Sequence, residues 1–176
     1  MATIPNIVGV AQKYVGMQEI PGNMGFKDAD FQKKMEAVGH LKGQAWCAYF
    51  AELVWKQAYT TNTPESAAVL KKLDKLFSAS ATATFKNFEL DGTFKVGQVP
   101  MPGAIVIFRH GIGWQGHAGI VTAYANGEKT FASVEGNTNA SGGREGIEVA
   151  LKSRKLGLPL NKNGLNIVGF IYPNAI

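Results

Sequence analysis

The sequence predicts an α+β fold, with helices in the first half and a mostly antiparallel sheet in the second. Apolar residues recur at helical spacing as far as "VLKKLDKLF". Beyond it lies "AIVIF", residues 104–108, a short and wholly apolar run that fits a buried central strand. Further apolar segments then follow, separated by turn signals. Helices first and strands afterwards is the order of an α+β domain. No repeat, low-complexity tract or linker interrupts the chain, so residues 1–176 are expected to form a single domain.

The elements follow in order. "IPNIVGVAQKYVG" places Ile7, Val10, Ala11 and Tyr14 on one helical face and stops at Gly16. A loop, "QEIPGNMGF", turns at Pro21-Gly22. A second helix is expected from Asp28 to about Val38, ending at Gly39. The third runs from Trp46 to Tyr59, with Trp46, Tyr49, Phe50, Leu53 and Val54 as a broad apolar face. "TPESAAVLKKLDKLF" makes a fourth, with Thr63 as N-cap and Pro64 in its first turn. "ATATFKNFELDGTFKVGQVPMPG" reads as irregular. After the "AIVIF" strand, "GHAGIVTAY" and "EKTFASVEGN" flank "ANG" as a hairpin, and "GIEVALKSR" and "NIVGFIY" supply two more strands.

Composition narrows the function. Eighteen basic against thirteen acidic residues give a net charge of +5, which favours anionic partners. The basic residues are scattered and accompany no nucleic-acid motif, so no nucleic-acid partner is expected. No window reaches the apolar length of a membrane span. The opening "MATIPNIVGVAQKYVG" lacks the pattern of a secretory signal. The single cysteine excludes an intramolecular disulfide and any zinc site built on several cysteines.

That cysteine, Cys47, follows a tryptophan at the start of the third helix. Free cysteine is commonly a small buried hydrophobe. A thiol at a helix N-terminus, however, feels the positive end of the dipole and ionises easily, which suits a nucleophile. An activated thiol needs a base in reach and a group to orient that base. His40 stands at the end of the second helix, where histidine often only caps, and His110 falls in a loop past the buried strand. His117 opens a strand between small residues that leave room above it. If "ANG" closes as a three-residue loop with Gly127 left-handed, His117 faces Glu135 directly across the hairpin, and Asn137 follows on the same face.

"GQAWCAYFAELVW", "PGAIVIF", "GHAGIV" and "VEGNTN", in this order, resemble the CHAP family, the cysteine, histidine-dependent amidohydrolases/peptidases of the wider papain-like and NlpC-type group. "YVGMQEIPGNMGF" resembles the leader helix and loop of its bacterial and phage members. The resemblance covers most of the chain. It implies a papain-like fold and cleavage of peptidoglycan, as an N-acetylmuramoyl-L-alanine amidase or a peptide-bridge endopeptidase. On the matching positions it implies Cys47 as nucleophile, His117 as base, Glu135 as its acidic orienter and Asn137 as the polar residue that follows. The backbone N–H of Cys47 would donate to the oxyanion, and Gln44 would either add a side-chain amide or serve as a plain turn residue. Trp46 joins Gln44 and Trp114 as substrate-binding candidates, with Trp114 placed to line the cleft, whereas Trp55 reads as packing. Arg144 and Arg154 read either as ligands for stem-peptide carboxylates or as solvated strand-edge residues.

Two departures from the family matter. Some phage members carry clustered aspartates for calcium just before the cysteine. Here "AVGHLKGQAW" holds no carboxylate, so neither metal nor cofactor is expected. No wall-binding domain follows, so targeting is expected to rest on the catalytic domain, its charge or a partner such as a holin or an exporting system. The protein is expected to be a monomer made in the cytoplasm that acts on the wall or in the periplasm, as a phage lysin or an exported effector. Two rival readings stand beside this one: a thiol peptidase or acyltransferase acting on a non-wall amide, and a non-catalytic wall-binding module.

Overall fold

The structure, a computed structural model, describes residues 4–139 and 146–175. Helices α1 (Ile7–Gln12), α2 (Ala29–Ala37), α3 (Cys47–Tyr59), α4 (Pro64–Leu76) and α5 (Ala81–Asp91) precede the main strands. Strands β1 (Val96–Gly97), β2 (Ile105–His110), β3 (Gly116–Ala125), β4 (Thr130–Thr138), β5 (Glu148–Lys155) and β6 (Leu165–Ile171) form one sheet in the order β1-β6-β2-β3-β4-β5. All its pairings are antiparallel, so this is the expected α+β, papain-like architecture.

Helix starts sit where the capping residues lie. The Asp28 side chain accepts from the Phe31 N–H at the head of α2, and Thr63 accepts from the Ser66 N–H at the head of α4, with Pro64 in its first turn. α3 is different, because its N-cap is Trp46, which offers no capping oxygen.

α5 and β1 correct the reading of residues 81–103 as irregular. Ser80 caps α5 by accepting from the Ala83 N–H, and Gly92 closes it in the left-handed conformation. Two threonines and two phenylalanines give this stretch weak intrinsic helix propensity. Packing supplies what propensity lacks. Ala81, Thr84, Phe85 and Phe88 are the buried positions, at helical spacing, and Phe88 stacks edge-on against Trp55 and Phe94.

The core lies on both faces of the sheet. One face of β2 and β3, with Ile105, Ile107, Ala118 and Ile120, packs under the helices together with Phe50, Val54 and Trp55 of α3. The other carries Val106, Phe108, Val121, Phe131 and Phe170. α3 lies close on β4 because Gly136 has no side chain: a Cβ there would stand 2.6 Å from the Trp46 ring and 2.8 Å from Phe50.

The β3–β4 hairpin departs from the expected register. Its loop is a short 3-10 turn over Asn126–Glu128 followed by Lys129, and Lys129 (φ 51°), not Gly127, is the left-handed residue. Ala125 pairs with Thr130, a bulge follows between Val121 and Ala123, and Ile120 pairs with Val134. Continued one step, that register sets Gly119, not His117, across from Glu135. The slip from the expected pairing is two residues. Because side chains alternate with period two, an even slip leaves Glu135 on the face of His117.

Candidate active site

Cys47 is buried at the N-terminus of α3. Its helix start is held from outside. The Asn137 side chain, oriented to satisfy both its ends, accepts from the Trp46 N–H (3.1 Å) and donates to the Gly146 carbonyl (2.8 Å). Asn137 itself sits at φ 53°, at the end of β4. The expected place for Asn137 is beside the imidazole; its hydrogen bonds instead join the head of the nucleophile's helix to the Gly146 carbonyl. A sequence pattern carries no signal for this bridge, since it depends on how β4 leaves its ladder.

His117, at the start of β3, stands directly across from Phe108. Its Nε2 meets Glu135 Oε2 at 2.8 Å, and the Cys47 thiol stands close enough to the imidazole to interact with it. Glu135 reaches the imidazole along the diagonal, over Gly119. A Cβ on Gly119 would lie 2.5 Å from Glu135 Cγ, so glycine at that position leaves the carboxylate its path.

Glu135 is fully buried and fully engaged. Oε1 accepts from the Ser133 hydroxyl (2.6 Å) and Arg154 Nε (2.9 Å), while Oε2 accepts from His117 and from the Arg154 guanidinium. The Arg154 guanidinium also lies over the Phe108 ring, 5.1 Å from its centre. It is therefore neither a solvated edge residue nor a free anion receptor. Arg144 falls outside the described residues.

Burial opposes charge on all three groups, yet their mutual contacts win. Burial pushes the Cys47 thiol up, but the hydrogen bond and charge of His117, with the Ala118 and Ala48 amides, hold it below its ordinary value. Burial pulls His117 down, but the thiol and Glu135 push it up to about 10. Burial raises Glu135, and His117 with Arg154 bring it down to about 2. The arrangement favours a thiolate–imidazolium pair backed by a permanent carboxylate.

A cleft of about 760 Å³ opens onto Cys47 and His117. Gln44, Trp114, His110, Lys152 and Arg154 line it, and no carboxylate does among the described residues. Gln44 Oε1 accepts from the Tyr49 hydroxyl (2.8 Å) and the Leu41 N–H (3.3 Å), which leaves its amide N–H groups for the cleft. His40, expected as a helix cap, is buried beneath and its Nε2 lies 3.1 Å from the Gln44 carbonyl. Trp114 stands at the rim of the cleft and is 80% exposed. Trp46 requires a correction. Its ring is 0% exposed, packs against Phe26 and donates to Glu19 Oε2, so it belongs to the core and not to a substrate surface. Phe50 beside it shares α3, but Phe31 and Phe26 come from α2 and the preceding loop, which a reading along α3 alone does not bring together.

The model of the CHAP domain matches residues 39–137, just over half of the chain and the span that holds Cys47, His117 and Glu135. No curated protein and no solved structure matches the chain. Family members are amidase- and peptidase-type hydrolases, and a thiol, an imidazole and a carboxylate in hydrogen-bonded sequence at a cleft is the chemistry such hydrolysis needs. The chain belongs to the CHAP-domain family.

Proposed function

We propose that this chain hydrolyses an amide bond of peptidoglycan through a cysteine acyl-enzyme, as a muramoyl-alanine amidase or a stem or cross-bridge endopeptidase. The observation that carries the reading is the Cys47–His117–Glu135 relay opening onto the cleft. The Cys47 thiolate attacks the amide carbonyl. The His117 imidazolium then gives its proton to the leaving amine, and the acyl group stays on sulfur as a thioester. Water, losing a proton to His117, hydrolyses the thioester and restores the pair. The Cys47 backbone N–H, at a helix end where amides lack internal partners, and the Gln44 side-chain amide stabilise the oxyanion. Trp114 stacks on the substrate at the rim, and the basic lining suits a stem peptide that carries carboxylates.

The whole chain acts as one catalytic domain and as a monomer. Its substrate lies outside the cytoplasmic membrane, so a holin-type pore or an exporting system delivers it there. No helix among the described residues is long and apolar enough to cross a membrane. Zymography on purified walls, followed by mass analysis of the fragments, tests the reading. Lytic bands whose fragments carry new amino and carboxyl or lactyl ends support it. Intact walls in the presence of an alkylatable Cys47 would move the activity to a non-wall amide.

Two expected results follow from the geometry. Gly119→Ala should fold but displace the Glu135 carboxylate from His117, lowering kcat by about a hundredfold, the usual cost of a displacement near 1 Å. Measured kcat with an unchanged circular dichroism spectrum checks it. EDTA should leave activity unchanged. Asp28 is committed to capping α2 and Asp30 to an ion pair with Lys34, so neither is free to bind calcium near the cysteine. Activity lost to EDTA and restored only by calcium would contradict this.

A further inference from the structure

We propose that Arg154 is a positioning residue of the reaction: by clamping Glu135 it balances the charge of the relay and so sets the pH at which the Cys47 thiolate forms. The proposal rests on Cys47 as the nucleophile. Arg154 lies on β5, beyond the residues that the family model matches. It grips both Glu135 oxygens, one through Nε and the other through its terminal nitrogen, the two-point geometry that lysine cannot copy. Phe108 beneath the guanidinium fixes its plane, and the same ring faces His117 across β2 and β3.

The charge count gives the consequence. A carboxylate behind an imidazolium strengthens the base, but in a buried site it also repels the thiolate in front. With Arg154 present, thiolate, imidazolium, carboxylate and guanidinium sum to zero. Without it the reactive state carries one net negative charge in a largely buried site, and a proton on sulfur becomes the cheaper arrangement. The other groups facing the cluster do not replace it. His110 of β2 and Lys152 of β5 line the cleft, and Lys152 is already bound to the Asn139 carbonyl at 2.6 Å. The cleft wall formed by residues 79–81 adds no titratable side chain.

The test uses the full chain and the rate of Cys47 alkylation by iodoacetamide against pH, which reads the thiolate directly because no second cysteine competes. Wall hydrolysis is not needed, so a wrong substrate assignment would leave this measurement intact. Arg154→Gln should move the thiolate limb up by about one pH unit, and the alkaline limb of kcat/KM with it, because losing a positive charge favours every protonated state. Arg154→Lys keeps the charge and should keep the limb within a few tenths of a unit while lowering kcat several-fold. The double variant Glu135→Gln with Arg154→Gln removes one charge of each sign and should return the limb toward that of the unaltered protein. It also guards against a misfolded single variant, since its neutral pair leaves no buried charge alone. A limb that stays put in Arg154→Gln, or one that shifts upward in Arg154→Lys or remains shifted in the double, would overturn the proposal and leave Arg154 a structural clamp.

Discussion

Cys47→Ala and Cys47→Ser are each expected to abolish wall lysis, by about four to six orders of magnitude in kcat, the scale seen when a nucleophile is removed from a catalytic set. Serine keeps the shape of the residue but not the acidity. A hydroxyl in this site has no comparable route to an anion, whereas the thiol is already held below its ordinary value by His117 and the backbone amides. The pH dependence has a definite sign. Lowering the thiol's pKa extends the ion pair toward acid, and raising that of His117 to about 10 extends it toward alkali. Activity should therefore stay level through neutrality and decline as His117 loses its proton near pH 10, whereas alkylation, which needs only the thiolate, should persist above that pH. Stoichiometric labelling at Cys47 with full lysis retained would sink the thiol mechanism.

Glu135→Gln should lower kcat by about two to four orders of magnitude, the range found when the orienting carboxylate of a triad becomes an amide. The amide cannot balance the imidazolium, and its nitrogen would face donors that now meet an acceptor on one side only. Arg154 would also be left without its counter-charge, but its side chain is 23% exposed, so water takes up part of the loss and the cost in stability stays below that of a fully buried pair. A thermal melt beside the kinetics separates the two losses. Asn137→Ala should act differently. It releases the Trp46 N–H at the head of α3, so it should cost about 1–2 kcal/mol of stability and a smaller factor in kcat. If Asn137→Ala instead proves the more damaging in kcat/KM, with stability unchanged, the amide and not the carboxylate governs His117.

Most helices were legible because their signals are local. Asp28 and Thr63 cap as their side-chain chemistry dictates, and the apolar face of α3 is visible in its spacing. α5 escaped because threonines and phenylalanines mask a correct apolar period, and the partners that rescue it, Trp55 and Phe94, stand elsewhere in the chain. The relay was legible in part for a reason of symmetry. Alternation along strands placed Glu135 on the face of His117 even though the pairing was two residues off, and an odd slip would have sent it to the other side of the sheet. The role of Gly119 as the opening for the carboxylate follows only from the true register. The grip of Arg154 on Glu135 and the bridge made by Asn137 are long-range contacts with no periodicity to announce them. Trp46 adjoins the nucleophile in sequence, yet its ring turns inward to Glu19 and Phe26.

The sheet order places β6, the last of the described strands in chain order, between β1 and β2. On a ribosome the chain therefore delivers Cys47, His117 and Glu135 long before the strand that flanks β2 has emerged. Until then β2, a run of buried apolar residues, is an open edge with unpaired amides and carbonyls. A chain ending before Leu165 would keep that edge exposed and is expected to be prone to edge-to-edge association. The completed sheet, by contrast, cannot close until β6 has emerged. Synthesis thus imposes a delay between making the residues of the relay and completing the sheet that carries them.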